Sequence, residues 1–451
     1  MRGTAGFGLI SALLAGLVFA SCGGDDDDGG GGSGGDSINV AIVDNPQMKD
    51  IADLTPELFT KKTGTKVNYT VLDEGTLRQV TTRDVAAGGR QFDVVMIGPF
   101  EAPQFGRDGT LTDLTTFASE DQQYQLDDII PSVRNALSYD GKLYAAPFYA
   151  ESSFVMYRKD VFKDKGVTMP AQPTWEQIAT IARKIDSPDM AGICLRGKPG
   201  WGDLGASLTT VLNTFGATWW SANEDGSVGE AQVDQPEFRE ALQFYVDLVS
   251  DAGQEDAASS SFNECLTQYT DGKVAMWYDA TVAAGLLEAD DSAVKGKNGF
   301  APAPVKETDA SGWLWSWALA IPVTSEKADL GWEFISFATG PEYLEQAGSR
   351  IPGGWAAIPP GTRESTYQIP EYKKAAAAFA EPTLDSIAAA PIDNPGTTPR
   401  PGVPGVQYVG IPEFQDVGNQ CTEQFSALIA GRASVDSALE NCQSIASQVG
   451  G

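Results

Sequence analysis

The sequence predicts an α/β protein whose sheet is mostly parallel and carries helices on both faces. Two observations point there. Short apolar runs rich in β-branched residues recur as buried strands. The stretches between them place apolar residues at helical spacing. A third observation sets the scale. The chain has 451 residues, 42% hydrophobic and 20% charged. That is ordinary for a globular protein and enough for one large or two medium cores.

The elements follow in order. Residues 38–43 (INVAIV) read as a buried strand. A helix is expected over 47–62. Residues 66–72 (KVNYTVL) alternate like a half-buried strand. A helix near 76–87 leads to a second buried strand, 92–97 (FDVVMI). Thr174-Trp175-Glu176-Gln177 is a capping box, opening a helix with Ile178, Ile181, Ala182 and Ile185 on one face. Asp234-Gln235-Pro236 opens another, with Phe238, Ala241, Leu242, Tyr245, Leu248 and Val249. Residues 274–278 (VAMWY) read as a buried strand. A further helix starts at Ser325 with Leu330, Phe334 and Ile335 inward. Pro391, Pro395, Pro399, Pro401 and Pro404 mark a loop. The last helix, 434–448, carries Val435, Leu439, Cys442 and Ile445.

The first residues read as an address. Arg2 precedes an apolar stretch, 7–20, too short to span a bilayer but suited to a signal peptide. Its end, Phe19-Ala20-Ser21-Cys22, resembles the lipobox of bacterial lipoproteins, in which the cysteine is acylated after cleavage. The expectation is a signal peptide over 1–21, a lipidated Cys22, and a flexible tether over 22–36. Residues 23–36 contain only Gly, Asp and one Ser, and can bury nothing.

Charge and composition exclude several chemistries. With 31 basic and 61 acidic residues the formal net charge is −30. A nucleic-acid partner needs a basic face and is not expected. Histidine is absent, which removes Ser-His-Asp and Cys-His catalysis and every His-ligated metal. No metal or other cofactor is expected. Cys194, Cys265, Cys421 and Cys442 are even in number, as in an oxidising compartment. Three pairings are open, and buried free thiols are the alternative. Cys194–Cys265 with Cys421–Cys442 is preferred, because the second pair would staple two neighbouring helices.

Several stretches resemble one family. Residues 143–154 (LYAAPFYAESSF), 272–279 (GKVAMWYD) and 411–442 are similar to the extracellular solute-binding proteins of ABC importers, the maltose-binding type. Residues 191–202 (AGICLRGKPGWG), 313–322 (WLWSWALAIP) and 359–367 (PPGTRESTY) resemble the branch that binds mannitol, sorbitol and arabitol. The resemblance implies a two-lobe, type II periplasmic-binding-protein fold that closes on its ligand about a hinge. It implies chain crossings near 148–151, 311–315 and 356–363. The lobes would then be 37–150 plus 312–360, and 151–311 plus 361–451. It also implies an extracytoplasmic, membrane-anchored lipoprotein. The partners would be a polyol or small sugar and the transmembrane permease, and the protein a monomer.

A polyol needs carboxylates and amides as acceptors, arginine as a planar donor, and aromatic faces for its C–H surfaces. Such groups are sought at the carboxyl ends of strands. Asp44 and Asn45 follow the first strand. Asp44 serves either as ligand or as cap of the helix that Pro46 opens; Asn45 is favoured as a ligand. Phe100 and Glu101 follow the 92–97 strand through Gly98-Pro99, although Glu101 also suits a helix start. Tyr149 and Glu151 lie at the first crossing, where the resemblance implies ligand contact. A glycine-rich loop presents Arg196 and Trp201. Its spacing is not that of a nucleotide phosphate loop, which leaves room only for a simple anion. Asp279 ends the 274–278 strand and carries the most weight; the alternative is a cap for a helix from Thr281. Trp313, Trp315 and Trp317 alternate and face one side. Trp315 and Trp317 are expected at the cleft, but not all three. Arg350 and Arg363 flank the last crossing, as clamp or as brace, and Arg363 joins the candidates. A carbohydrate hydrolase with paired carboxylates is the alternative function, and a tethered protein that binds a protein or an anionic metabolite is a third.

Overall fold

The structure is a computed structural model that describes residues 36–449. The expected signal peptide, Cys22 and nearly all of the tether lie outside the described residues. Two sheets frame the fold. In chain order their strands are β1 Ser37–Val43, β2 Lys66–Leu72, β3 Val94–Ile97, β4 Ala146–Glu151, β5 Ser153–Arg158, β6 Met276–Ala280, β7 Asn298–Pro302 and β8 Trp315–Ala320. The first sheet has the order β2-β1-β3-β8-β4 and the second β6-β5-β7.

β1 runs parallel to β2 and β3, as the alternating pattern predicts. The expectation of a mostly parallel sheet stops there. β8 is antiparallel to both β3 and β4, and the second sheet is antiparallel throughout. The physical reason is the connection. β8 does not follow a crossover helix but enters from β7 in the other sheet. Likewise only Ser152 separates β4 from β5, though these strands belong to different sheets. The chain thus passes between sheets at Ser152 and returns between Pro302 and Trp315.

The helices that place the site are α1 Pro46–Thr55, α2 Glu74–Ala86, α3 Trp175–Ile185, α4 Pro236–Ala252, α5 Phe262–Thr270, α6 Ala328–Thr339, α7 Phe414–Ile429 and α8 Val435–Ala446. The helix expected over 47–62 is not uniform. α1 gives way to a π-helical turn over Pro56–Thr60. Pro56 has no N–H to give, and the wider turn accommodates it. α2 is capped by Asp73, whose side chain accepts from the Thr76 N–H. α3 carries the expected capping box with both reciprocal bonds present. α4 buries Phe238, Ala241, Leu242, Tyr245, Leu248 and Val249, the six residues its periodicity selects.

Two boundaries differ from expectation. β6 begins at Met276 and contains Asp279, so this residue is part of the strand, paired opposite Phe154. α6 begins at Ala328, because the Ser325 hydroxyl accepts from Lys327 N–H and donates to Asp93 in the turn before it. The disulfides are Cys194–Cys265 and Cys421–Cys442, the preferred pairing. The second joins α7 to α8. The first ties the glycine-rich loop to α5.

Candidate ligand-binding cleft

The site is built where the two sheets exchange strands. β1 ends at Val43, and two residues on Asn45 stands at the N-cap of α1 but makes no side-chain capping bond. Its amide instead donates to the Tyr149 hydroxyl at 3.0 Å. β4 brings Tyr149 and Glu151, and β8 brings Trp315 and Trp317 opposite them in register. The first turns of α2 add Glu74 and Arg78. The loop after Cys194 adds Arg196 and Trp201, and α5 adds Phe262. Together with Trp313 and Gln407 these side chains line a cavity of about 420 Å³, counted with its solvent-open part.

Both arginines are already partnered. Arg196 grips Asp279 through Nε and Nη2 at 2.8 and 2.6 Å, and its Nη1 donates to the Gly202 carbonyl at 2.9 Å. Asp279 also accepts from Trp277 Nε1 at 3.1 Å and from the Ala280 N–H at 2.7 Å. Burial works against the Arg196 charge, but Asp279 prevails and raises its pKa above the ordinary guanidinium value. Arg78 donates to Glu74 Oε1 from Nε and Nη2 at 3.1 and 2.7 Å, and to Glu101 Oε1 from Nη1 at 2.6 Å. Its guanidinium lies 4.1, 4.5 and 4.7 Å from the ring centres of Trp201, Trp315 and Trp317. Three indoles thus cage one cation.

Unspent hydrogen-bonding capacity sits elsewhere. Glu151 is buried, and its Oε2 has no partner. Burial pushes its pKa well above the usual carboxylate range, Asp279 and Glu74 add to this, and Arg196 opposes it. Gln407 donates to the Leu314 carbonyl while its Oε1 is unpartnered. Asp203, against Ser261, is raised to about 6 by burial, with Glu74 adding.

Among the residues singled out from sequence, Asn45, Tyr149, Glu151, Arg196, Trp201, Trp315 and Trp317 line the cavity. Trp313 does too, so all three tryptophans face it, contrary to expectation; their period-two alternation extends one step ahead of β8. Asp279, Glu101 and Phe100 stand one layer behind. Asp279 is fully buried beneath Arg196, and Glu101 holds Arg78. Phe100 packs on Trp201 with ring centres 4.6 Å apart. Asp44 turns outward to Lys49 at 2.7 Å. Arg363 lies outside the cavity. It donates to the carbonyls of Thr339 and Gln125, both at 3.0 Å, and faces the Tyr124 ring. That is the brace rather than the clamp. Glu74, Arg78, Phe262 and Gln407 were not foreseen. Glu74 and Arg78 carried a signal, an acid–base pair four apart just after a capping Asp. Gln407 carried none.

Residues 41–345 match the family model of bacterial extracellular solute-binding proteins. The chain belongs to that family. This solute-binding protein is 40% identical over 412 residues to the mannitol-binding protein of Pseudomonas aeruginosa, spanning 90% of this chain and 92% of that one. It is similar to the crystal structure of an ABC transporter solute-binding protein from Agrobacterium vitis S4 with bound D-mannitol. There the TM-score is 0.87 and the identity 45%, over 92% of this chain and 98% of that one. A ribitol complex from Agrobacterium radiobacter K84 shares the fold, at a TM-score of 0.76 and 22% identity over 92% and 99% of the two chains. The solute-binding protein therefore has the two-lobe α/β fold that the resemblance implied.

Proposed function

We propose that this solute-binding protein captures a sugar alcohol in the cleft and delivers it unaltered to the permease of an ABC importer. The observation that carries the reading is the 45% identity, over nearly the whole fold, to a protein holding D-mannitol. The cleft chemistry agrees with it. Glu151 and the Gln407 amide offer free acceptors to hydroxyl groups. The N–H groups of Arg78 and Arg196 not spent on carboxylates offer donors. Trp313, Trp315 and Phe262 offer apolar faces to the carbon chain.

In this reading the lobes are 37–150 plus 312–360 and 151–311 plus 361–451. The membership of β1–β4 and β8 in one sheet and β5–β7 in the other supports the division. Across that division Trp201 lies over Arg78, its ring centre 4.1 Å from the guanidinium, and the Asn263 amide donates to the Asp44 carbonyl at 2.9 Å. Enclosing the ligand costs no covalent chemistry, and the protein acts as a binder rather than an enzyme. Cys22 would carry the lipid that holds a monomeric protein at the outer face of the cell membrane. No helix among the described residues is long and apolar enough to cross a membrane.

The test is calorimetry and tryptophan fluorescence on the purified mature protein with mannitol, sorbitol, arabitol, glucose and maltose. Saturable one-to-one binding of a polyol, recovered chemically unchanged, is expected. Release of a cleaved product from a glycoside would transfer the protein to the hydrolase reading. Mass spectrometry of the native protein tests acylation of Cys22.

A further inference from the structure

Two arginines in a cavity suggest a site for an anion. The partners of these arginines argue the opposite. Arg196 is neutralised by Asp279 through a two-pronged bond. Arg78 serves two carboxylates at once, Glu74 and Glu101. Two guanidiniums therefore face three carboxylates before any other group is counted. Glu151 and Asp203, both raised toward the neutral form, add further negative charge whenever they ionise. Lys198, in the same loop as Arg196, is directed to Asp73 at 3.9 Å rather than into the cavity. With Glu74, Glu101 and Asp279 charged against the two guanidiniums, the cleft is electronegative whether or not Glu151 and Asp203 ionise; burial raises the Glu101 pKa, and its bond to Arg78 opposes that.

We infer that the cleft admits only uncharged polyhydroxyl ligands and rejects their phosphorylated and carboxylated counterparts, with Glu74 as the residue that sets the rejection. The inference deepens the polyol reading and rests on it. Glu74 occupies the decisive place for a geometric reason. Its Oε1 binds Arg78, while Oε2 lies 4.0 Å from Arg196 Nη1. One carboxylate thus spans both guanidiniums on the cavity wall and shields an incoming anion from each. Glu101 and Asp279 hold the arginines from behind. Glu74 is also the more exposed of the two carboxylates on Arg78, with a side-chain exposure of 17% against 2% for Glu101. An arriving phosphate or carboxylate therefore meets Glu74 before it meets a free guanidinium edge.

The experiment is calorimetry on the mature protein with D-mannitol, D-mannitol 1-phosphate and D-mannonate, at low and at physiological ionic strength. Mannitol is expected to bind, and both anions to bind about a hundredfold more weakly, the effect of one uncompensated charge roughly 6 Å away at a surface-like dielectric. Raising the salt should narrow the gap. Glu74→Gln should narrow it by about tenfold, with a smaller change for mannitol itself. Anion affinities within about threefold of mannitol's would overturn the inference and leave the polyol reading intact. Failure of every neutral polyol to bind would remove that reading and this inference together. The wild-type comparison decides the rejection itself, and an unchanged gap in folded Glu74→Gln would take that role from Glu74.

Discussion

Asp279 and Arg196 are joined by two hydrogen bonds of 2.8 and 2.6 Å, with the Asp279 side chain wholly shielded from water. This carboxylate does not line the cavity; it aims the group that does. Asp279→Ala should weaken polyol binding by about 1–3 kcal/mol through misplacement of Arg196. It should also destabilise the fold by about 3–5 kcal/mol, because a buried guanidinium loses its counter-charge. Calorimetry and urea unfolding read the two effects separately. Full affinity in a folded variant would refute the aiming role.

Trp201 stands between Arg78 and Phe100 and covers one face of the guanidinium. Trp201→Ala should cost about 1–2 kcal/mol of ligand affinity, by loss of the cation–π contact and its packing. Trp201→Phe should retain part of that and remove much of the ligand-induced fluorescence change. An undiminished signal would place the reporting tryptophan elsewhere.

Asp203 gives stability a pH dependence of known sign. Its folded-state pKa, about 6, exceeds the ordinary carboxylate value. The folded chain therefore holds this proton more tightly than the unfolded chain does. Its contribution is present in full below about pH 4 and disappears as pH rises through about 6. Unfolding free energies from urea titrations should show a fall on the order of 2 kcal/mol from this residue across that window. Asp203→Asn should flatten that part of the profile; an unchanged slope would rule it out as the source.

Arg363 offers a control. It is fully buried and holds the carbonyls of Thr339 and Gln125 together. Arg363→Ala should lower stability by about 3 kcal/mol and leave the polyol Kd unchanged in the folded fraction. A weakened Kd at equal folding would return Arg363 to the ligand.

The Cys421–Cys442 bridge closes a short loop, with a sequence separation of 21, and staples α7 to α8. Replacing both cysteines by serine should cost about 3 kcal/mol in urea unfolding. The ligand Kd should be little affected, since neither helix contributes a side chain to the cavity.

Much of this was legible in the residues, for reasons that can be named. β1 and α4 were, because burial periodicity is local and strong there. Asn45 and Tyr149 were, because strand ends and crossings are where clefts form. β8 defeated the parallel-sheet expectation because direction depends on the element before it, which composition does not record. Asp279 was placed in the right neighbourhood but one layer too far forward. A strand-end carboxylate looks the same in sequence whether it meets ligand or holds an arginine. Arg78 showed only its spacing from Glu74; its importance lies in three tryptophans drawn from two distant segments, which spacing does not record. Gln407 arrives from a proline-rich loop whose path has no periodic signal.

The single-residue passage at Ser152 has a consequence for how such a molecule can change. Tyr149 and Glu151, which touch the cavity, sit within three positions of the point where backbone leaves one sheet for the other. If the lobes divide there as proposed, a substitution at these positions would alter grip and swing in one stroke. Trp201 and Phe262 reach the same space from stretches remote from that passage. New tastes in cargo are therefore most freely acquired at those two positions, with the moving joint left as it is.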